Sequence, residues 1–186
     1  MCIVVALITA CWMGACLSQI ASEQGPASTV YKRVVRRQPS RFPAGTHLPG
    51  KNELRACGEI NLKTFSPTRD LIRFEDSRVW WESDNSRGPE DDHMINHAME
   101  EPLRKLVNLV AKRGGTLKVH DAYRATGVHL RNSLHKEGRA IDLTCDEFNL
   151  ETLAKLCWAA GFDWVFYEGP NKKSGDHIHC SVKKAN

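Results

Sequence analysis

The sequence predicts an α/β fold: an α+β sandwich in which two main helices pack on one small mixed or antiparallel sheet. Two segments, 95–112 and 150–160, have apolar residues at helical spacing, and glycines follow each of them. Short β-prone runs occupy the stretches around these helices, at 116–122, 140–144, 165–167 and 177–182. The order helix, strand, strand, helix, strand, strand is typical of a layered α/β domain.

The region before the first helix is predicted to contain short strands and turns. Apolar runs at 71–74 and 79–81 predict two strands, and the acidic segment 82–92, with Gly88-Pro89, predicts a loop. A polar loop is expected from 123 to 134, and a turn-rich insert from Gly169 to Gly175. The sequence has no internal repeat, which favours a single domain.

Residues 1–22 are predicted to be a secretory signal peptide. An apolar run is followed by small residues, and no charged residue precedes Glu23. A transmembrane anchor is the alternative, but Trp12 and Gly14 interrupt the apolar run too early for a span of about 20 residues. We therefore expect a secreted, extracellular protein with no membrane span in the mature chain.

Residues 23–56 are predicted to form a basic, flexible arm before a domain at 57–186. The formal net charge is +4, and five basic residues fall within ten positions among prolines: Lys32, Arg33, Arg36, Arg37 and Arg41. Prolines discourage regular structure, so a solvated arm is expected. Proteolytic processing after Arg36 or Arg37 and binding to heparan sulfate are alternatives. A nucleic-acid partner is not expected for a secreted chain.

Four cysteines follow the predicted signal peptide: Cys57, Cys145, Cys157 and Cys180. An even number in an oxidising compartment permits disulfides, and buried free thiols are the alternative. A four-cysteine zinc site is not predicted, because the chain has no C-x-x-C spacing.

Two segments near the end of the chain, Ser133 to Leu143 and Asp176 to Cys180, carry the predicted chemistry. They offer His135, Asp142 and His179, a ligand set that suits a zinc ion with one open coordination position. Gly138 allows the backbone to turn, so that His135 and Asp142 converge at the start of a strand. The two-residue period of a strand sends His177 and His179 to the same face.

Hydrolysis at such a zinc needs a general base and groups that stabilise an oxyanion. Asp176 and Glu168 are the candidate bases, although strand periodicity turns Asp176 away from the face of His179 unless Gly175 bends the chain. Arg124, His129 and His177 are candidates for stabilising the anion. A surface ion pair is the alternative role for Arg124.

At these residues the chain resembles the amino-terminal signalling domain of hedgehog proteins, most closely in SLHKEGRAID, AGFDWVFYE and HIHCSVK. It is also similar to bacterial D-alanyl-D-alanine carboxypeptidases, whose pattern S-x-H-x-x-G-x-A-x-D is present from Ser133 to Asp142. Both resemblances imply zinc bound in the cleft by His135, Asp142 and His179. The hedgehog pattern implies further roles for His129, His177 and the acid Glu168. The carboxypeptidase pattern implies Asp176 as the base and Arg124 as a substrate-binding residue.

The hedgehog resemblance also implies a paired calcium site, which this sequence meets only in part. Acidic residues for its first half are Glu82, Asp84, Glu90, Asp91 and Asp92. In its second half only Asp121 is a carboxylate, because Arg124 and Thr126 stand where further acids are expected. Calcium takes six to eight oxygen ligands, so a complete calcium site is not predicted.

These patterns leave three hypotheses for function. The main prediction is a secreted zinc protein of the hedgehog signalling-domain type with an intact peptidase-like centre, that is, a carboxypeptidase-like zinc metallopeptidase acting on a peptide substrate. The second is a non-catalytic cell–cell signalling ligand, in which zinc is structural and the partner is a cell-surface receptor. The third is a glycan-binding module that acts through the basic arm.

Overall fold

The computed structural model describes residues 36–82, 92–126, 129, 131–169 and 175–184. The predicted signal peptide, Lys32 and Arg33, the acidic residues Asp84, Glu90 and Asp91, and part of the turn-rich insert lie outside these residues. All described residues fall within one compact unit, Val34–Asn186.

A six-stranded mixed sheet forms the centre of the domain. Its strands are β1 (His47–Leu48), β3 (Val79–Trp81), β5 (Leu117–Asp121), β6 (Ala140–Thr144), β7 (Trp164–Glu168) and β8 (His177–Ser181), in the order β1-β7-β8-β6-β5-β3. Strands β3 and β5 are parallel, and the other neighbouring pairs are antiparallel. A separate two-stranded sheet pairs β2 (Leu71–Arg73) with β4 (Met94–Asn96). The predicted α/β class is therefore confirmed.

Four helices accompany the sheets within the described residues: α1 (Glu53–Cys57), α2 (Pro67–Asp70), α3 (Glu100–Ala111) and α4 (Leu150–Ala160). The long helices α3 and α4 contact each other and the six-stranded sheet. Helix α4 has the predicted bounds: Asn149 caps its first turn, and Gly161, at φ 111°, ends it.

The predicted start of the first long helix at Ile95 is wrong. Residues 94–96 form β4 instead, and the side chain of Asn96 then accepts a hydrogen bond from the backbone N–H of Ala98, which starts a 3₁₀ turn at His97–Met99. Helix α3 begins only at Glu100. Ile95 is fully buried as a strand residue, so its place in the apolar pattern is compatible with either structure.

Strand periodicity separates the core from the opposite face of the sheet. Ile141 and Leu143 of β6 and Ile178 and Cys180 of β8 are fully buried and join the core beneath α3 and α4. Because side chains alternate along a strand, Asp142 and both histidines of β8 point away from that core. The polar residues of these two strands therefore share one face.

Residues 36–57, here called the amino-terminal strap, pack against the domain. Phe42 is 1% exposed and belongs to the main core, and His47 and Leu48 pair with β7. The guanidinium of Arg36 lies 4.5 Å from the ring centroid of Trp158. The expectation of a flexible arm up to residue 56 is thus corrected for the described part, although Arg37 and Arg41 are exposed. Prolines limit regular structure in the strap to the short β1 and α1, but they do not prevent burial of an aromatic side chain.

The four cysteines after the predicted signal peptide are free thiols, and all are buried. The sequence permitted either disulfides or buried free thiols, and the structure has free thiols. No helix among the described residues combines the length and apolar character that a membrane span requires.

Candidate metal centre

His135, Asp142 and His179 meet on the face of the sheet opposite the two long helices. Asp142 and His179 are direct cross-strand partners in β6 and β8. His135 lies on a 3₁₀ turn, Leu134–Glu137, which Ser133 caps. Each of the three offers one ligand atom, and these atoms lie within 4.8 Å of one another. The predicted ligand set therefore comes together in space.

Gly138 makes this convergence sterically feasible. Its φ is 64°, and a Cβ atom at this position would lie 2.6 Å from Cδ2 of Leu71 and 3.0 Å from the backbone nitrogen of Asn96. Both the left-handed conformation and the close approach favour glycine. The turn from His135 into β6 thus depends on the residue that the sequence analysis identified.

The hydrogen bonds of the two imidazoles define which nitrogen of each faces the centre. Nδ1–H of His135 donates to the carbonyl of Ala122 at 2.7 Å. Its Nε2 is buried without a hydrogen-bond partner among the described residues and lies 3.5 Å from Oδ1 of Asp142. For His179, Nε2 contacts Oε1 of Glu53 at 2.7 Å, and Nδ1 contacts Oδ1 of Asp142 at 2.8 Å. The inward-facing atoms are thus Nε2 of His135, Oδ1 of Asp142 and Nδ1 of His179.

These atoms fit a divalent metal ion such as zinc. Buried polar atoms are normally hydrogen-bonded, so the unpartnered Nε2 of His135 beside a carboxylate is the observation that needs an explanation. Metal-ligating histidines usually donate their other N–H to a carbonyl or a carboxylate, as both imidazoles do here. Two nitrogens and one oxygen form a donor set that zinc binds readily.

The metal-free centre is held together by charge. Burial opposes ionisation of Asp142, but attraction by His135 and His179 outweighs it and holds the pKa of Asp142 well below its ordinary value. Burial likewise disfavours the charged form of His179, but Asp142 and Glu53 outweigh it and raise the pKa of His179 to about 10. Without metal, a protonated His179 therefore links two ionised carboxylates near neutral pH.

Three further predicted site residues border the centre. His129 stacks on His135 with 4.2 Å between ring centroids. Nε2 of His177 lies 3.7 Å from Oδ1 of Asp142 and 3.5 Å from Oε2 of Glu168. Glu168 and His177 are also register partners in β7 and β8, which places this candidate base beside the triad.

Comparison with known proteins identifies the family of this chain. The family model of the hedgehog amino-terminal signalling domain matches residues 24–181. The chain belongs to this family. Over 100 residues, 51% of this chain and 23% of the relative, it is 39% identical to Sonic hedgehog protein of Danio rerio.

Other hedgehog relatives give the same result. Identity to Indian hedgehog protein of Gallus gallus is 39% over 97 residues, 50% of this chain and 22% of the relative. Identity to Protein hedgehog of Drosophila hydei is 31% over 124 residues, 62% of this chain and 25% of the relative. The matched region thus spans about a quarter of each of these relatives. The predicted hedgehog resemblance is confirmed.

Arg124 of this hedgehog-type domain is held in a buried ion-pair network. Its guanidinium lies 2.6 Å from Oδ1 of Asp92 and 2.5 Å from Oδ1 of Asp121, and the residue is 6% exposed. Its backbone N–H donates to the carbonyl of His135 at 3.0 Å. Arg124 therefore stabilises the loop that carries His129 and His135. The alternative role predicted for Arg124 was a surface ion pair, but its ion pair with Asp92 is buried.

The same network occupies the described part of the expected calcium site. Asp92 and Asp121 share Arg124, and Oε2 of Glu82 lies 2.7 Å from Nδ1 of His120. One guanidinium therefore supplies positive charge to the buried Asp92 and the half-buried Asp121. A calcium ion there would have to compete for these carboxylates with the guanidinium of Arg124.

Asp176, the other candidate base, lies beside Tyr167. The hydroxyl of Tyr167 and Oδ2 of Asp176 are 3.4 Å apart, and Tyr167 pairs with Ile178, a core-facing residue. Strand β8 begins only at His177. Asp176 is therefore on the side that strand periodicity predicts, where it contacts Tyr167 rather than the triad.

Glu53 was not identified by sequence reasoning. Its Oε1 accepts hydrogen bonds from Nε2 of His179 and from the hydroxyl of Ser181. Burial disfavours its ionised form, but His179 outweighs this and lowers the pKa of Glu53. It is 126 residues from His179 in a segment that was interpreted as an arm. The available signal was weak: Asn52-Glu53 before a short apolar run resembles a helix start.

Proposed function

We propose that this protein is a secreted cell–cell signalling ligand of the hedgehog type, in which a zinc ion organises the cleft that a cell-surface receptor recognises. His135, Asp142 and His179 would hold the ion. Membership of the signalling-domain family supports the ligand role. The single observation that carries the metal centre is the buried Nε2 of His135, which faces Asp142 at 3.5 Å.

Zinc would serve chiefly to stabilise this face. It would replace a proton between Asp142 and His179 and join β6, β8 and the 3₁₀ turn of His135 in one coordination sphere. Such an ion contributes directly to folding free energy, because the unfolded chain has no preformed site. The receptor would then contact a rigid surface in which Nε2 of His135, unpartnered without metal, is bound to the ion.

The experiment compares wild-type protein with His135→Ala and with a matched control, His47→Ala. We expect about one zinc per wild-type molecule by elemental analysis. We also expect activation of a hedgehog-responsive reporter in cultured cells. His135→Ala should lose the zinc and most of the reporter signal, whereas His47→Ala should keep the zinc. Wild-type protein without zinc, or His135→Ala with a full zinc complement, would contradict the proposed centre.

A second candidate function is peptide-bond hydrolysis, with Glu168 as the general base. The observation that favours it is a chain of contacts: Oε2 of Glu168 lies 3.5 Å from Nε2 of His177, and that nitrogen lies 3.7 Å from Oδ1 of Asp142. When bound, zinc would polarise a substrate carbonyl. Glu168 would accept the proton of the attacking water, and His129 or His177 would stabilise the developing anion. Arg124 is less suited to this role, because its guanidinium is already paired with two carboxylates.

Peptide turnover distinguishes the two functions. Metal-dependent cleavage of a short-peptide library that Glu168→Gln abolishes, while the zinc content stays unchanged, would support the peptidase. Asp176→Asn serves as the matched control, since Asp176 contacts Tyr167 rather than the triad. A zinc-loaded wild type that signals but cleaves no peptide would support the ligand alone.

Heparan sulfate binding through the basic arm is proposed as an auxiliary property. The exposed positions of Arg37 and Arg41 support it, whereas Arg36 is engaged with Trp158 and Asp163. Retention on a heparin column should weaken for Arg37→Ala/Arg41→Ala. Retention unchanged by that double substitution would contradict a contribution from these two arginines.

A further inference from the structure

We propose that Glu53 is a positioning residue of the metal centre: it holds His179 with its proton on Nε2, so that Nδ1 is presented to the metal. This inference rests on the proposed zinc centre and assigns a role to a residue outside the predicted ligand set. It makes the amino-terminal strap part of the centre.

The geometry divides the two ring nitrogens of His179 between two carboxylates. Oε1 of Glu53 lies 2.7 Å from Nε2, whereas Oδ1 of Asp142 lies 2.8 Å from Nδ1. These nitrogens are on opposite sides of the imidazole, so Glu53 is excluded as a direct ligand of an ion bound at Nδ1. Its contact is with the ring atom that must keep its proton when the other atom binds a metal.

Glu53 is itself held in place by strand β8 and by helix α1. The hydroxyl of Ser181 donates to the same Oε1 atom, and Ser181 is two residues beyond His179 on the same strand. In α1, the side chain of Asn52 accepts a hydrogen bond from the backbone N–H of Arg55, which fixes the first turn that carries Glu53. The buried residues Ala56 and Cys57 then attach α1 to Leu134 and Trp164 in a second apolar cluster. The carboxylate is thus fixed by an arrangement that uses neither the core helices nor the triad.

The environment of His179 gives its orientation a second constraint. Its ring packs at 5.8 Å from the ring of Trp164, and at 5.1 Å from that of His135, both edge to face. These contacts limit the tilt of the ring, but they do not choose between its nitrogens. Without metal, each nitrogen faces a carboxylate, and Nε2 also lies 3.1 Å from Oγ of Ser181. Once Asp142 and Nδ1 are engaged with the metal, Glu53 would keep the remaining ring proton on Nε2, because a carboxylate accepts and does not donate.

The test measures zinc affinity and the position of the ring proton in the full chain. Variants Glu53→Gln and Glu53→Ala are compared with wild type by competition against a chromophoric zinc chelator. Glu59→Gln is the matched control, since Glu59 is exposed and lies six residues further along. Because loss of such a partner typically weakens metal binding about 10- to 100-fold, we expect a loss in this range for Glu53→Ala. Glu53→Gln should lose less, since an amide oxygen still accepts, and Glu59→Gln should match wild type.

Nitrogen-15 spectra of the zinc-loaded imidazoles separate positioning from a general loss of structure. Wild type should show a slowly exchanging Nε2–H for His179 with Nδ1 bound to zinc, and this proton should exchange faster in Glu53→Ala. Unchanged affinity and unchanged Nε2–H exchange in both Glu53 variants would overturn this inference alone. Failure of the wild type to bind zinc through His135 and His179 would overturn the proposed centre as well. Glu53→Gln retains the shape of the side chain, so the affinity test is still available if Glu53→Ala does not fold.

Discussion

At the scale of single residues, Arg124 forms structural ion pairs where the sequence predicts a contact with substrate. The carboxypeptidase-like pattern of the sequence predicts that Arg124 binds a substrate, yet its guanidinium is paired with the buried Asp92 and the half-buried Asp121. The distances of 2.6 Å and 2.5 Å, taken alone, suggest that these ion pairs strongly stabilise the fold. Burial nevertheless raises the pKa of Asp92 to about 6, although Arg124 opposes this. The pair therefore compensates only part of the cost of burying the carboxylate.

Removing Arg124 should destabilise the protein in a pH-dependent way. In Arg124→Ala, Asp92 is left buried without its cation, and loss of one partner of a buried pair costs about 3–5 kcal/mol. The pKa of Asp92 in the folded state already lies above the ordinary value of 3.8. Folding therefore takes up a proton between these values, and the contribution of Asp92 to stability falls as the pH rises through that window. The substitution should raise this pKa further, so the loss should be larger at pH 7.5 than at pH 5.

Urea unfolding of metal-free protein at both pH values checks this prediction. Arg69→Ala is the control, because Arg69 forms a surface pair with Asp70, its side chain is 63% exposed, and such pairs contribute little. An Arg124→Ala protein as stable as Arg69→Ala at pH 7.5 would refute the assigned role. Equal losses at the two pH values would show that protonation of Asp92 does not relieve the buried charge.

His179 gives a second prediction at this scale, on proton release by zinc. Its pKa of about 10 in the metal-free protein means that it carries two ring protons at pH 7, and a metal ligand must lose one of them. We expect binding of zinc to release about one proton at pH 7 and to strengthen as the pH rises. Titration calorimetry in buffers of different ionisation enthalpy measures this number. A binding enthalpy that does not depend on the buffer would contradict the prediction.

At the scale of elements, the sequence predicts a helix or a strand reliably where the residue pattern fits only one of the two. The alternation in β6 and β8 and the caps of α4 predict these elements with nearly their observed bounds. Ile95, by contrast, fits a helix as well as a strand, and only its pairing with Ile72 in β2 distinguishes them. That pairing is a tertiary contact, which local periodicity does not contain.

The amino-terminal strap was missed for a related reason. Its prolines led to the expectation of a flexible arm, whereas the strap contains β1 and α1, and the backbone N–H of Phe42 donates to the carboxylate of the distant Glu151 at 3.0 Å. The candidate site was likewise predicted only in part from the sequence. Motif spacing predicted the three residues that converge in the candidate metal centre, because they lie near strands of clear periodicity, whereas Glu53 reaches the centre from the strap.

The strap should therefore contribute to stability as a core element. Phe42→Ala removes a fully buried aromatic side chain, a change that typically costs about 3–5 kcal/mol. Leu62→Ala is the control, since Leu62 is 51% exposed and should change stability little. The midpoint of urea unfolding measures both. A Phe42→Ala protein with the midpoint of Leu62→Ala would mean that the strap does not belong to the folded domain.

At the scale of the whole molecule, the four buried thiols lie in or beside different elements, so each can report the local unfolding of its own element. Cys57 ends α1, Cys157 lies in α4, Cys180 lies in β8, and Cys145 follows β6. Burial raises the pKa of Cys57 to about 12 and that of Cys145 to about 11. Neutral, enclosed thiols react poorly with disulfide reagents, so each should react only when its own element opens.

This distribution tests whether the strap and the sheet unfold together. If residues 36–184 form one cooperative domain, all four thiols should become reactive over one denaturant transition that coincides with loss of circular dichroism. Cys57 is the informative position, because it shares an apolar cluster with Leu134, Ala140 and Trp164 next to the metal ligands. Early labelling of Cys57 alone, located by mass spectrometry, would show that α1 detaches first. In that case Glu53 should leave with α1, and zinc affinity should fall at denaturant concentrations that leave the sheet folded.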